Sequence, residues 1–323
     1  MSRRVLVCGG AGYVGAHMCE QLAAVGHEIV VFDNLEGGHR DAVRWGRLHV
    51  GDLRDPAALD ALFAGERFDA VLQFAGRIVV SESVREPAAY YDHNVAGMLN
   101  LLRTAANHGA PPVVFSSSAA VYGIPRSSPV DETHPCAPVN PYGRTKLISE
   151  HMLDDFRAAH GLRSVSLRYF NAAGASSSAP IGEAHVPETH LIPNVLCAYR
   201  ERRAVDVYGD DYPTPDGSCV RDYIHVSDLC RAHAAALDYL WRGGDNLVCN
   251  LGSERGFSVL ELLAAAEGVC GGPIARRIVP RRDGDPPVLV ASAQRAKTVL
   301  RWTPTQSDLP AILESAWRWE QRR

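Results

Sequence analysis

The sequence predicts an α/β fold in which a doubly wound parallel sheet precedes a smaller C-terminal α/β region. Short, β-branched apolar runs alternate with helical patterns, and a glycine-rich turn follows the first run. Because the runs are continuously apolar, both faces of the sheet should be covered by helices, with ligands at the carboxyl ends of the strands. The expected strands cover residues 4–8, 28–33, 47–52, 69–76, 112–118 and 164–171.

Composition describes an ordinary globular chain and excludes two classes of partner. The chain has 323 residues, of which 46% are hydrophobic and 22% are charged. A formal net charge of -4 gives no broad positive field, so we expect neither nucleic acid nor an anionic membrane surface as a partner. No run approaches the roughly 18 apolar residues that a membrane span requires.

The cysteines and histidines predict no metal site. Eight cysteines occur without a C-x-x-C pair, which is typical of reduced thiols in a cytoplasmic protein. His185 and His190 come nearest to a cluster, and their spacing is more typical of polar side chains in a loop than of metal ligands.

A dinucleotide site is predicted at the first strand end. Gly9, Gly12 and Gly15 form a G-x-x-G-x-x-G array that opens a helix, where backbone amides can approach a pyrophosphate. Asp33 ends the second strand, and its carboxylate can accept hydrogen bonds from ribose hydroxyls while repelling a 2′-phosphate. This favours a Rossmann-type site for NAD over NADP, with Asp52 near the adenine.

The stretch "NPYGRTK" predicts a catalytic helix start. Asn140 can cap a helix, Pro141 fits its first position, and Tyr142 and Lys146 then lie one turn apart on one face. An ammonium and the positive helix end should lower the tyrosine pKa, so that a phenolate can act as general base. Alone, such spacing is common on helix surfaces. Ser118, at the end of the fifth strand, favours the catalytic interpretation.

After about residue 172 the pattern loosens into small, polar residues before a helix over 191–203. We therefore expect a nucleotide-binding domain over 1–171, to which segments within about 222–255 return. Residues 172–323 should mainly form the substrate-binding region.

Several longer motifs resemble the extended short-chain dehydrogenase/reductase superfamily and, within it, the UDP-glucose 4-epimerases. They are the glycine array, "FAG", "SSSAAVYG", "YGRTK" and "LRYFNAAGA", together with the more specific "YYDHNVAGMLNLL", "PETHLIP", "YGDDYPTPDGSCVRDYIHVSDL" and "RRDGD". The resemblance runs from residue 5 to about Trp302.

The resemblance implies an epimerase that carries NAD and inverts C4 of a UDP-hexose. Tyr142 would take the proton of the 4-hydroxyl while C4 passes a hydride to NAD⁺, and the 4-keto sugar would turn over before the hydride returns. Binding energy would then come from the nucleotide, which leaves the sugar free to rotate.

The resemblance also implies the site residues. Catalysis would use Tyr142, Lys146 and Ser118. NAD would meet Gly9, Gly12, Tyr13, Val14, Gly15, Asp33, Asn34, Asp52, Leu53, Phe74, Ala75, Gly76, Asn94, Ser116, Tyr142, Lys146, Tyr169 and Phe170. The UDP-sugar would meet Arg77, Ser118, Tyr142, Asn171, His190, Leu191, Tyr208, Arg221, Tyr223, Arg282, Asp285 and Leu289.

Departures from the family pattern concern the sugar pocket. Ala120 stands where a threonine is usual, and Arg77 where some members have lysine. Leu289 stands where a tyrosine limits the pocket of some epimerases, so N-acetylated UDP-hexoses could also fit.

Three alternatives stay open. A 4,6-dehydratase would need acidic residues where Ala119 and Ala120 stand. A UDP-pentose or UDP-uronate epimerase would differ in only a few side chains. A non-catalytic NAD-binding sensor would have no need of Ser118, Tyr142 and Lys146 together.

The resemblance further implies a homodimer. Helices over about 88–108 and 141–158 would supply the interface, with apolar positions that include Val95, Leu99, Leu102 and Leu147.

Overall fold

The computed structural model describes residues 2–282 and 284–323. Its strands, in chain order, are β1 (Arg4–Cys8), β2 (Glu28–Asp33), β3 (Arg47–Val50), β4 (Ala70–Gln73), β5 (Val113–Ser118), β6 (Ser164–Tyr169), β7 (Asn171–Ala173), β8 (Val205–Tyr208), β9 (Val220–His225), β10 (Leu247–Leu251), β11 (Gly256–Ser258), β12 (Arg276–Val279) and β13 (Val288–Leu289).

The helices, in chain order, are α1 (Tyr13–Ala24), α2 (Pro56–Gly65), α3 (Val80–Arg85), α4 (Pro87–Tyr90), α5 (Gly97–Asn107), α6 (Pro141–His160), α7 (Leu191–Glu201), α8 (Val226–Trp241), α9 (Val259–Cys270) and α10 (Leu309–Glu320). Short 3₁₀ turns cover Arg40–Ala42 and Ala119–Tyr122, and π-helical turns cover Tyr91–Ala96 and Ala296–Leu300.

The main sheet has seven strands in the order β10-β6-β5-β4-β1-β2-β3. Every neighbouring pair is parallel. The order reverses between β1 and β4, and ligands of open α/β sheets bind at such a switch point. The predicted doubly wound α/β fold is therefore confirmed.

Helices cover both faces of this sheet, which explains why its strands are continuously apolar. On one face α1 and α8 enclose a core that includes Met18, Leu22, Leu229 and Leu237. On the other face α2, α5 and α6 enclose a second core that includes Leu59, Met98, Leu101 and Leu153. The two layers hold the sheet rigid, so that its carboxyl edge can position a ligand.

The remaining strands form two small sheets. β9 pairs with β11, β13 and β7, and β8 pairs with β12. A third core joins these strands to α7, α9 and α10 through residues such as Ile192, Leu262 and Ile312. A capping box at Ser258 and Glu261 begins α9.

The predicted helix over 88–108 is interrupted. It consists of α4, the π-helical turn and α5. Leu102 is fully buried in the core beneath α5, so the prediction that it contributes to a subunit interface is wrong. Val95, Leu99 and Leu147 are partly exposed.

All eight cysteines are free thiols, and five of them are buried. Within the residues that the structure describes, no helix is both long enough and apolar enough to cross a membrane.

Candidate active site

The turn between β1 and α1 is built for close approach of a ligand. Gly9 has a φ of +80°, and a Cβ at Gly15 would lie 2.1 Å from the Gly9 carbonyl oxygen. Only glycine fits at both positions. No side chain caps α1 at Gly12, so the first amide groups of this helix remain available to an anion.

Asp33 joins this turn to the end of β2. Its Oδ2 accepts a hydrogen bond from the Ala11 amide at 2.9 Å, and its Oδ1 accepts one from the Leu35 amide at 2.8 Å. Burial raises the pKa of Asp33, and these two hydrogen bonds oppose the shift. A carboxylate with two amide partners keeps lone pairs for two hydroxyl groups, which suits a ribose.

The carboxylate of Asp52 already has strong partners. Arg54 donates to it through Nε at 3.0 Å and Nη2 at 2.7 Å, and Asn34 donates from Nδ2 at 2.8 Å. These bonds, the Arg54 side chain first, hold the pKa of Asp52 well below its usual range. An adenine contact at Asp52 stays a prediction, and Arg54, which we did not predict, would border that contact.

Asn94 fixes the segment after β4 against α6. Its Oδ1 accepts the Arg77 amide at 2.8 Å, while its Nδ2 donates to the Arg77 carbonyl at 3.0 Å and to Thr145 Oγ1 at 3.1 Å. Thr145 directly precedes Lys146, so this link positions the catalytic helix. Of the other predicted cofactor residues, Leu53 is buried in the core, whereas Phe74 and Ala75 are partly exposed.

The start of α6 meets the end of β5. The Asn140 side chain accepts a hydrogen bond from the Gly143 amide at 2.8 Å, and Pro141 occupies the first helical turn. A Cβ at Gly143 would lie 2.5 Å from the Ala120 carbonyl oxygen. Glycine therefore lets the helix approach the turn after Ser118, and the Ser118 side chain lies near enough to Tyr142 to lower its pKa.

Lys146 is buried beside Tyr142 and is 4% exposed. Its Nζ donates to the Ser116 carbonyl oxygen at 2.7 Å and lies 5.8 Å from the centroid of the Tyr142 ring. Ser116 Oγ in turn bonds the Tyr169 hydroxyl. The structure thus brings the predicted serine, tyrosine and lysine to one place at the carboxyl edge of the sheet.

The expected lowering of the Tyr142 pKa is not found. Burial raises the pKa of Tyr142, and the nearby Ser118 side chain only partly opposes that effect. Burial also lowers the pKa of Lys146 to about 8, against the charge of Glu150. The prediction that the lysine and the helix end alone lower the tyrosine pKa is therefore wrong, because desolvation is the larger effect.

A buried ion pair supports the catalytic strand and helix from behind. Arg168 donates to Glu150 through Nη2 at 2.5 Å and Nε at 2.9 Å, and Ser117 Oγ donates to the same carboxylate at 2.5 Å. Arg168 Nη1 also donates to the Tyr122 hydroxyl at 2.9 Å. Glu150 lies one turn after Lys146 on α6, and Ser117 directly precedes Ser118. Sequence reasoning missed this pair.

Two predicted substrate residues on neighbouring elements face each other. Arg221 Nη2 lies 3.4 Å from Asp285 Oδ1, and its Nη1 donates to the Pro286 carbonyl oxygen at 2.8 Å. Nearby, the guanidinium of Arg282 stacks on the ring of Tyr208, with 3.8 Å between Cζ and the ring centroid. The guanidinium groups of Arg221 and Arg282 are the kind of donors that bind a pyrophosphate.

Other predicted substrate residues have mainly structural partners. Asn171 Nδ2 donates to the Asp222 carbonyl oxygen at 2.7 Å, and Arg77 Nη1 donates to Glu82 at 3.1 Å. Tyr223 is 4% exposed and belongs to the third core. His190 precedes Leu191, the first residue of α7, and its Nδ1 lies 2.5 Å from Glu183 Oε1. Contacts of these residues with substrate stay predictions.

Phe170 and Leu289 contact the same cluster of buried residues. Both pack against one cluster of buried residues, among them Ala119 and Tyr122, in the turn that follows Ser118. The position of Leu289 is thus adjacent to the predicted sugar site.

The glycine turn, the carboxylate at the end of β2 and the Ser118, Tyr142 and Lys146 group fit a dinucleotide cofactor beside an acid–base site. Fold and site together define an NAD-binding enzyme of the doubly wound α/β class.

Comparisons with known proteins identify the family. Residues 5–252 match the model of the NAD dependent epimerase/dehydratase family. A UDP-glucose 4-epimerase of Rhizobium meliloti (strain 1021) is 52% identical, over 100% of this chain and 98% of its own length. The chain therefore belongs to the NAD dependent epimerase/dehydratase family.

Two solved structures are similar over nearly the whole chain. UDP-glucose 4-epimerase from Brucella ovis, in complex with NAD, has a TM-score of 0.96 and 46% identity, covering 98% of each chain. The UDP-Glc/GlcNAc 4-epimerase of Campylobacter jejuni has a TM-score of 0.88 and 41% identity, covering 100% of each chain. The predicted family, NAD dependence and epimerase class are confirmed.

Proposed function

We propose that this chain is a UDP-glucose 4-epimerase, which interconverts UDP-galactose and UDP-glucose through a 4-keto intermediate. The observation that carries the proposal is the meeting of Ser118, Tyr142 and buried Lys146 beside a turn that only glycine can form. A non-catalytic NAD-binding protein would not need this group. The full-length relatives of the same name support the choice of substrate.

Tyr142 acts as the general base in this proposal. Its hydroxyl takes the proton of the sugar 4-hydroxyl, and Ser118 donates a hydrogen bond to the reacting oxygen. Lys146 supplies a positive charge that favours the phenolate, whereas burial disfavours it. NAD⁺ bound in this site would supply a further positive charge and an acceptor for the hydride of C4.

Apart from Asn94 on the π-helical turn and Tyr142 and Lys146 on α6, the residues predicted for NAD lie at or near the carboxyl ends of β1 to β6. We propose that Asp33 holds the adenosine ribose and that the start of α1 holds the pyrophosphate. Lys146, Ser116 and Tyr169 would border the nicotinamide end. Arg221 and Arg282 would hold the UDP diphosphate, which leaves the sugar near Ser118 free to turn.

We also propose the predicted division of labour along the chain. Residues 1–171 with segments of 222–255 would bind NAD, and the rest of 172–323 would mainly bind the UDP-sugar. Support comes from β10, a late segment that joins the main sheet beside β6.

The direct test gives the purified enzyme UDP-galactose with no added cofactor and follows the sugar by proton NMR. We expect UDP-glucose to appear, because the enzyme retains its own NAD. If nothing changes even after NAD⁺ is supplied, the UDP-glucose assignment fails, and N-acetylhexose, pentose and uronate nucleotides are tested next.

Tyr142→Phe tests the base assignment. The variant should lose roughly 10²–10⁴ in kcat, with bound NAD retained. Tyr239→Phe, a partly buried tyrosine of α8, is the matched control and should keep full activity. Near-normal turnover in Tyr142→Phe would remove the tyrosine from the mechanism.

N-acetylated UDP-hexoses are a second candidate substrate class. Leu289 borders the turn after Ser118, where a tyrosine would reduce the space for an N-acetyl group. Leu289→Tyr should therefore lower kcat/KM for UDP-N-acetylglucosamine at least tenfold while sparing UDP-glucose. Equal losses on both substrates would show that this position does not set the size of the pocket.

We further propose a homodimer. The helices predicted for the interface keep apolar positions at the surface, since Val95, Leu99 and Leu147 are partly exposed. Exposed apolar side chains on such helices suit an interface. Light scattering should report twice the chain mass of 35.1 kDa, and a monomer at micromolar concentration would contradict the proposal.

We propose a cytoplasmic location, since eight unpaired thiols suit a reducing compartment. Cell fractionation should recover the enzyme with cytoplasmic markers. Recovery from an oxidising compartment would contradict the proposal.

A further inference from the structure

A group of potential metal ligands adjoins the predicted substrate site and shares His190 with it. It occupies the loop before α7 with the spacing E-x-H-x-x-E-x-H, and we call it the loop cluster. Its members are Glu183, His185, Glu188 and His190. One ligand atom from each lies within 4.8 Å of the others. The spacing of the two histidines by itself predicts no metal site, and the alternating glutamates complete the set of four.

The distances within the loop cluster match a single coordination sphere. Ligands about 2.0–2.1 Å from a tetrahedral ion lie roughly 3.3 Å from each other. Nδ1 of His190 lies 2.5 Å from Glu183 Oε1, and Nδ1 of His185 lies 3.1 Å from the same oxygen and 3.9 Å from Glu188 Oε2. These three separations bracket the tetrahedral value, and both imidazoles turn the same nitrogen inward.

Two inward-facing atoms are buried without a hydrogen bond. Among the residues that the structure describes, neither His190 Nδ1 nor Glu188 Oε2 has a hydrogen-bond partner, although His190 Nδ1 lies 2.5 Å from Glu183 Oε1. Buried polar atoms normally have a partner. An ion at the centre would give both atoms that partner.

The carboxylates are already oriented as ligands. Oε1 of Glu188 accepts the amides of Thr189 at 2.8 Å and His190 at 2.9 Å, which leaves Oε2 to point inward. The Glu183 side chain is 6% exposed. Such fixing of a ligand by backbone hydrogen bonds is the usual support around a metal ion.

The loop cluster lies where three parts of the chain meet. Trp319 of α10 donates to the Glu183 carbonyl oxygen at 2.7 Å, and His39 bonds the Ala184 carbonyl oxygen at 2.9 Å. Tyr13, from the glycine turn, stacks edge-on against His185 with 6.4 Å between ring centroids. An ion held here would fix the loop that leads into α7 against the nucleotide-binding turn.

We propose that the loop cluster binds one divalent transition-metal ion, zinc by preference, as a structural site. Two imidazole nitrogens and two carboxylate oxygens form a mixed set that suits zinc. Four protein ligands close the tetrahedron, so the ion stabilises the loop and does no chemistry.

The test measures metal content in the complete protein. The chain is purified without a histidine tag, incubated with zinc, passed through gel filtration and analysed by inductively coupled plasma mass spectrometry. We expect about one zinc per chain. Cobalt in place of zinc should give the intense visible absorption of a tetrahedral site.

Variants separate this site from adventitious binding. His185→Gln and Glu188→Gln should each lose most of the metal, whereas His160→Gln, an exposed histidine at the end of α6, should keep it. Wild-type protein without metal after zinc loading would overturn the proposal and leave an ion-pair network. Equal metal in all three variants would equally overturn it, since the ion would then be adventitious.

Discussion

The buried pair of Arg168 and Glu150 offers a quantitative test of what holds the catalytic elements together. Side-chain exposure is 7% for Arg168 and 4% for Glu150. Arg168→Met would leave the Glu150 carboxylate buried with the Ser117 hydroxyl as its donor. Removing one partner of a buried pair costs about 3–5 kcal/mol.

This cost converts into a measurable change in Tm. An unfolding entropy of about 2.1 cal/mol/K per residue over 323 residues gives about 0.7 kcal/mol/K. Arg168→Met should therefore lower the Tm by roughly 4–7 °C in thermal unfolding followed by circular dichroism. Arg157→Met, which breaks an exposed pair with Asp245, should change it by at most about 1.5 °C.

The double variant Arg168→Met with Glu150→Leu completes the cycle. Two apolar side chains of similar volume can replace a buried pair at little cost, so the double variant should recover most of the lost Tm. The reasoning is refuted if Arg168→Met unfolds within 2 °C of the wild type, or if the double variant is less stable than the single one.

Two further predictions concern the site itself. Gly15→Ala would place a Cβ 2.1 Å from the Gly9 carbonyl oxygen, so purified protein should lack NAD absorbance, whereas Gly268→Ala, in open space, should retain it. Lys146→Met should abolish epimerisation yet raise the Tm at pH 7, because burial lowers the pKa of Lys146 from 10.5 to about 8 and its charge is unfavourable in the fold. The folded chain binds fewer protons than the unfolded chain between those values, so this gain in Tm should shrink as pH rises from 8 to 10.5, and an unchanged gain would contradict the assignment.

Most of the features that the sequence could predict depend on local patterns. Tyr142 and Lys146 lie one helical turn apart, so helix geometry alone places them on one face. Likewise, the atoms nearest to a Cβ at Gly15 belong to Gly9 and Gly10, so this steric limit arises within a few residues. The doubly wound arrangement followed from general rules for parallel sheets.

Contacts between distant segments could not be predicted in this way. Glu150 lies on α6 and Arg168 lies on β6. Neither segment contains a sequence pattern that predicts the ion pair between them. Arg54 lies two residues after Asp52, yet whether its side chain turns toward that carboxylate depends on packing around it. The pKa of Tyr142 depends on burial, which spacing does not reveal.

The loop cluster is a local pattern that was nevertheless not predicted. Its four residues are close in sequence, and glutamates alternate with histidines. The common zinc patterns are based on cysteine and do not include a mixed carboxylate and imidazole set in a loop of small residues. The loop cluster was therefore not predicted.

Strand β10 has a consequence for how the enzyme can be divided. It comes from residues 247–251, yet it lies at the edge of the main sheet beside β6. A fragment that ended at residue 171 would expose the backbone amides and carbonyls of β6 as an open edge, which favours self-association. The main sheet is thus completed only once residue 251 has been synthesised, and a cut at residue 171 does not give two modules that could be exchanged between relatives.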